Sequence, residues 1–75
     1  MYKRQLVAIA VSAAIRCEYC IAAQIEFAKK AGANNEEIKA AIQIAAEIQR
    51  FSTLLYGNEF DADTFNKLIG RDNKE

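Results

Sequence analysis

The chain has no histidine, no proline and no tryptophan, and only three glycines and two cysteines in 75 residues. Without histidine, no Cys-His or Ser-His nucleophile pair and no histidine-ligated metal site can be built from one chain. Without proline and with little glycine, the backbone is rarely forced to turn, and abundant alanine and isoleucine predict an all-α protein with few connections. An excess of charge is missing too. Ten basic residues face ten acidic ones, with no basic block, which argues against nucleic acid or an anionic membrane surface as partner. The length allows one domain, residues 1–75. A chain this small buries only roughly 60% of the surface its unfolded form exposes, so it is marginal unless cross-linked, metal-bound or oligomeric.

A long apolar run is also absent. The run at residues 6–15, behind Met1-Tyr2-Lys3-Arg4-Gln5, is about half the roughly 20 residues that span a bilayer. Read as a signal peptide it would be cut near Ser12-Ala13-Ala14, discarding the most hydrophobic element of the chain. The expectation is a cytoplasmic protein that keeps this segment and has no membrane anchor.

What is present reads as four helices. Residues 6–15 are apolar in almost every helical direction, with Gln5 and Ser12 as the only polar line. The second helix, Cys17 to about Ala31, places Cys17, Cys20, Ile21, Gln24, Phe27, Ala28 and Ala31 on one arc, and Gly32 supplies a left-handed stop. Asn34 caps the third helix with Glu37 at capping-box spacing. That helix runs to Tyr56, with Gly57 as terminator. Lys39, Gln43, Glu47 and Arg50 form one narrow polar stripe, and the apolar arc beside it is too wide for a single chain of this length to cover. Asp61 caps a last short helix ending at Gly70, with Phe60 and Phe65 as a hydrophobic staple. A polar, frayed tail follows at residues 71–75.

The constellation that can carry chemistry is Cys17-Glu18-Tyr19-Cys20. At a helix start, residues three apart share a face, so the sulfurs can form a disulfide within one turn. Unpaired N–H groups there favour a thiolate. The spacing serves reversible two-electron redox chemistry and is also half a zinc site, yet zinc needs about four ligands and the chain offers no second pair and no histidine. Two inert buried cysteines are the remaining alternative. Gln24, in the middle of the apolar arc, needs a polar partner there, either a nearby backbone carbonyl or the sulfurs and their water. Gln5 and Ser12 are candidates to face the same spot. Glu18 disfavours a thiolate and Arg16 favours one, although both read first as solvated flanks.

The segments Gln5-Leu6-Val7-Ala8-Ile9-Ala10-Val11-Ser12-Ala13-Ala14, Cys17-Glu18-Tyr19-Cys20-Ile21-Ala22-Ala23-Gln24, Lys30-Ala31-Gly32-Ala33 and Glu36-Glu37-Ile38 together resemble the alkylhydroperoxidase D-like, or carboxymuconolactone decarboxylase, family, over roughly residues 4–56. The resemblance implies an all-helical subunit in a homo-oligomer, trimer or hexamer; no cofactor is expected. It implies that Cys20 attacks a hydroperoxide and that Cys17 resolves the product into a disulfide, whereas helix-end physics alone favours Cys17 as the activated thiol. The family glutamate falls on Gln5 and the family histidine on Gln24. Amides can donate and accept hydrogen bonds but cannot take up a proton near neutral pH. The family also has an upstream helix that this chain's first residues do not supply. Its lactone decarboxylases lack the cysteine pair and are associated with histidine chemistry, so that activity is not expected.

The expected function is therefore thiol-disulfide exchange or weak hydroperoxide reduction through Cys17 and Cys20, supported by Gln24, Gln5 and Ser12. The partners are a small hydroperoxide or a disulfide or dithiol donor. The competing expectation is a non-catalytic, oligomeric interaction module that has lost the proton relay.

Overall fold

The computed structural model describes residues 2–71 and is all-helical: α1 (Lys3–Ala14), α2 (Glu18–Lys30), α3 (Asn35–Gly57) and α4 (Ala62–Leu68). The expected frayed tail lies, from residue 72 onward, outside the described residues. Helix α1 is the centre of the packing, laid against α2 on one side and α3 on the other. Its Ile9 is fully buried and forms the core with Ala28 of α2, Ala33 of the connection and Ile38 of α3, and Tyr2, Leu6, Ile25 and Ile42 pack around them. The α2–α3 connection follows the sequence closely. Asn34 Oδ1 accepts the Glu37 N–H at 2.8 Å and Glu37 Oε1 accepts the Asn34 N–H at 2.9 Å, a complete capping box.

Three details differ from expectation. Helix α1 starts at Lys3, ahead of the apolar run, with no side-chain cap and no acidic residue in its first turn. A tertiary contact holds this end instead, because the Tyr2 hydroxyl donates to Glu37 Oε2 at 2.5 Å. The buried side of α2 is rotated from the expected arc: Ile21, Gln24, Ile25 and Ala28 face inward, while Cys20, Phe27 and Ala31 are exposed. Gly57 is the last residue of α3 and not its left-handed stop, a job taken by Glu59 at φ 54°. Asp61 does cap α4, accepting from the Thr64 N–H at 2.9 Å, and Phe65 meets the rings of Phe60 and Phe51 edge-on at 6.3 Å.

All four helices close with the same hydrogen-bond pair. An N–H reaches the carbonyl five residues back, from Cys17 to Ser12 (3.0 Å), Ala33 to Ala28 (2.9 Å), Phe60 to Leu55 (3.0 Å) and Arg71 to Asn66 (2.8 Å). The residue before each of these donors bonds three back, completing a Schellman closure whose turning residue is left-handed. Gly32 and Gly70 turn two of them, at φ 108° and 83°. Arg16 and Glu59 turn the other two, at φ 59° and 54°.

The molecule measures 44 × 24 × 21 Å with a radius of gyration of 15.8 Å. A compact chain of this length has a radius near about 11 Å. Val7 and Val11 on α1, Ile15 just past its end, and Ile44, Ile48 and Phe51 on α3 are each more than half exposed. No described helix is long and apolar enough to cross a membrane.

Candidate functional site

The α1–α2 connection is only three residues long and contains neither glycine nor proline, so one ordinary residue must adopt the left-handed conformation for the helices to fold back. Ile15 is β-branched and suits it poorly. Arg16 takes it, at a cost of roughly 1–2 kcal/mol relative to a right-handed residue. Cys17 then has extended backbone, φ −94° and ψ 103°, and is the N-cap of α2. Its Sγ accepts the Cys20 N–H at 3.2 Å, the role that the side-chain oxygen of Asn34 has on α3. Capping thus brings the sulfur of Cys17 over the first turn, where Cys20 stands. The two are joined as a disulfide with their Cα atoms 5.3 Å apart. Cys17 is half-buried and Cys20 is exposed.

Ser12, Arg16, Cys17, Glu18 and Ile21 line a cleft of about 310 Å³ beside the disulfide. Ser12 is buried, and its hydroxyl donates to the Ala8 carbonyl at 2.6 Å, a bond internal to α1. Its own carbonyl receives the Cys17 N–H. Ser12 therefore fixes the turn beneath the disulfide through its backbone. Gln5 and Gln24 do not line this cleft. Counting back along α1 and forward along α2 from the Ser12–Cys17 contact sets Gln5 level with Gln24, about two helical turns, or roughly 10 Å of rise, below. Gln24 is half-buried, and its side chain makes no hydrogen bond among the described residues, neither to a backbone carbonyl nor to a cysteine sulfur. Gln5 Oε1 is buried and without a hydrogen-bond partner among the described residues, an arrangement that costs about 1–3 kcal/mol. The expected supporting set thus divides by level, with Ser12 at the disulfide and the two amides deeper between the helices.

Arg16 is the residue that sequence reasoning set aside as a solvated flank. It turns the chain, lines the disulfide cleft, and donates from Nη1 to the Ala14 carbonyl at 3.2 Å. Gln49 Nε2 of α3 donates to the same carbonyl at 3.2 Å, tying the end of α1 to the middle of α3. The signal in the sequence was a helix-to-helix turn with no glycine to make it. Among the described residues, no three cysteine, aspartate or glutamate side chains gather as a metal site requires.

Comparison with known proteins adds two findings. The model of the carboxymuconolactone decarboxylase family matches residues 3–60, a stretch that includes α1, α2 and α3 and ends before α4. A curated relative described as "uncharacterized protein 4 in cox locus", from Paracoccus denitrificans, is 36% identical over 56 residues, covering 75% of this chain and 50% of the relative. The chain therefore spans about half the length of the curated relative it matches. No solved structure matches it.

Proposed function

The chain belongs to the carboxymuconolactone decarboxylase family, and from that premise and the geometry of its cysteine pair we propose that it is a thiol-disulfide oxidoreductase acting through Cys17 and Cys20. The observation that carries the proposal is a disulfide between an exposed residue, Cys20, and Cys17, whose sulfur already accepts a helix N–H. A donor thiolate attacks the accessible Cys20 Sγ, and Cys17 leaves as a thiolate held by the Cys20 N–H and the positive end of α2. The donor's second thiol then attacks the mixed disulfide and releases Cys20. In the opposite direction Cys20 takes up the oxidant, and Cys17 closes the disulfide. Accessibility and leaving-group stabilisation thereby give Cys20 the attacking role that the family resemblance implies, and Cys17 the resolving one.

With a hydroperoxide as oxidant, the Cys20 thiolate takes the terminal oxygen to give a sulfenic acid and an alcohol. Cys17 then displaces water. The family resemblance makes this reaction slow here, because amides, Gln5 and Gln24, stand where it places the proton relay, and a general base is worth about 10² to 10⁴ in rate. The test is to reduce the full chain, remove the reductant and add diamide, expecting a mass lower by two hydrogens and protection of both cysteines from alkylation. Two thiols that remain alkylatable refute the proposal.

We further propose a homo-oligomer, a trimer or hexamer, formed through the apolar groove between α1 and α3. Leu6, Val7, Ala10, Val11, Ala41 and Ile44 line this groove, of about 450 Å³. The support is shape: the chain exposes 6201 Å², where a compact monomer of its size exposes about 4,600 Å². These bare faces equally favour the reading as a non-catalytic assembly module, which the diamide experiment separates from the redox reading. Light scattering should return a multiple of the chain mass, and the melting temperature should rise with protein concentration. Ile44→Lys, within the groove, should dissociate or unfold the assembly. A stable folded monomer at micromolar concentration refutes it.

A further inference from the structure

A second, larger cleft of about 710 Å³ lies between the α1–α2 turn and the C-terminal half of α3. Arg16 borders both clefts, so a single side chain separates this one from the cleft beside the disulfide. The charged residues lining it are Arg16 and Arg50, with Gln49, Ser52 and Thr53 as further hydrogen-bonding groups and no carboxylate. In a chain of zero formal charge this is a local concentration of one sign. Neither arginine forms an ion pair among the described residues. Arg16 uses one N–H on the Ala14 carbonyl, leaving most of its five donors unused. Nor does the backbone explain an arginine there, since at φ 59° glycine is the easier residue. Strain retained under a charged side chain beside a reactive pair calls for a functional account.

We propose that this cleft binds the carboxylate end of a small anionic disulfide, and that such a disulfide is the oxidant of the cysteine pair. The inference rests on the thiol-disulfide reading above. Arg16 and Arg50 hold the carboxylates, on the side of Arg16 away from Glu18, the acidic residue of the disulfide cleft. The Cys20 thiolate attacks one sulfur of the bound disulfide, whose sulfur-sulfur bond breaks and releases one thiolate. The Cys17 thiolate then attacks Cys20 Sγ and releases the second. The protein loses two electrons and two thiol protons, and the ligand departs as two thiols.

The experiment uses the reduced full chain and three probes: dithiodipropionate with two carboxylates, bis(2-hydroxyethyl) disulfide with no charge, and cystamine with two ammonium groups. The second-order rate of thiol loss should rank in that order. Anionic and cationic probes should differ by about tenfold, the low end of what local charge focusing contributes, and added salt should shrink the gap. Arg16→Gln and Arg50→Gln should each bring the anionic-to-neutral ratio toward one, whereas Lys39→Gln, which removes a charge outside the cleft, should not. Arg16→Gly should lose the preference while its melting temperature rises, a combination that a purely structural Arg16 would not give. Arg50 lies exposed on α3 with no part in the turn, so its variant tests the charge without touching the fold. Equal rates for the three probes, or a preference that survives both glutamine variants, overturn the anion site and leave the redox reading standing. If diamide oxidises the pair and no probe does, the anion site falls and the redox reading stands; if diamide fails as well, both fall.

Discussion

The two inter-helix connections on either side of α2 use the same two capping devices, the second with one residue more, and differ in their residues. Each closes a helix with a left-handed residue, then turns into an N-cap whose side chain accepts an N–H from the third helical position. Between α2 and α3 the residues are those that stability would choose: Gly32 in the left-handed position, Asn34 as cap and Glu37 returning the bond. Between α1 and α2 the corresponding positions hold Arg16, Cys17 and Cys20. Each is a poorer choice for its backbone role, since arginine resists positive φ and sulfur is a weak acceptor. One connection serves folding, and in the other the same two devices present a disulfide and a guanidinium to solvent.

Exchanging residues between the two connections tests this contrast, and the largest effect is expected at the sulfurs. Cys17→Ser should reduce two-electron exchange to background, because no intramolecular disulfide can then form. Serine caps a helix at least as well as sulfur, so the variant's melting temperature should match that of the reduced parent. Thiol titration beside a thermal melt reads both. A large loss of stability in the variant would mean that the disulfide connection, too, is built for folding.

Substitutions at the folding connection should change stability and not exchange. Gly32→Arg gives it the left-handed residue of the other connection. A Cβ at Gly32 would meet nothing within 4 Å, so the cost is backbone strain alone, roughly 1–2 kcal/mol. At about 4–8 °C per kcal/mol for a domain of this size, the drop is readily measured. Asn34→Ala should cost about 1 kcal/mol by removing the cap. Thiol exchange in both variants should remain at the parent rate.

This contrast also explains what could be read from the sequence. The four helices, the Asn34–Glu37 box, the Asp61 cap and the Phe60–Phe65 staple follow local rules acting within a few residues, and the structure has each of them. The pairing of Cys17 with Cys20 is local in the same sense. Beyond the reach of those rules lay whatever depends on packing between helices. The inward face of α2 is set by where α1 lies, and that rotated Cys20 and Phe27 outward. Tyr2 found Glu37 across the whole of α1 and α2, so α1 starts earlier than its apolar run. Arg16 was missed because a charged residue beside a helix end reads as solvated until its φ is known. Gln5 and Gln24 were legible as an unusual pair of inward amides, but not the level at which they sit.

The smallest expected effect concerns the Tyr2–Glu37 contact, the part of the folding connection that has no counterpart at the disulfide. The tyrosine hydroxyl and the Asn34 N–H hold the Glu37 carboxyl below its usual 4.5, and the same hydrogen bond raises the Tyr2 phenol above 10.0. A carboxyl with a depressed folded value stabilises the fold at any pH above its unfolded value and loses that contribution as pH falls through the folded one. A phenol with a raised folded value does the reverse, contributing fully below its unfolded value and failing as pH rises through the folded one. The contact should therefore hold from about 4.5 to 10.0 and weaken on either side. Tyr2→Phe keeps the ring against Ile9 and its neighbours but removes the bond, so the melting temperature should decline less steeply above pH 10. It should also decline less steeply below pH 4.5. Part of the acid decline should persist, because the Asn34 N–H still favours ionised Glu37 and the Thr64 N–H and hydroxyl lower Asp61 at the α3–α4 connection. A variant whose pH profile superimposes on the parent's at both ends would mean that the capping box alone holds Glu37, and that the early start of α1 owes nothing to its tyrosine hydroxyl.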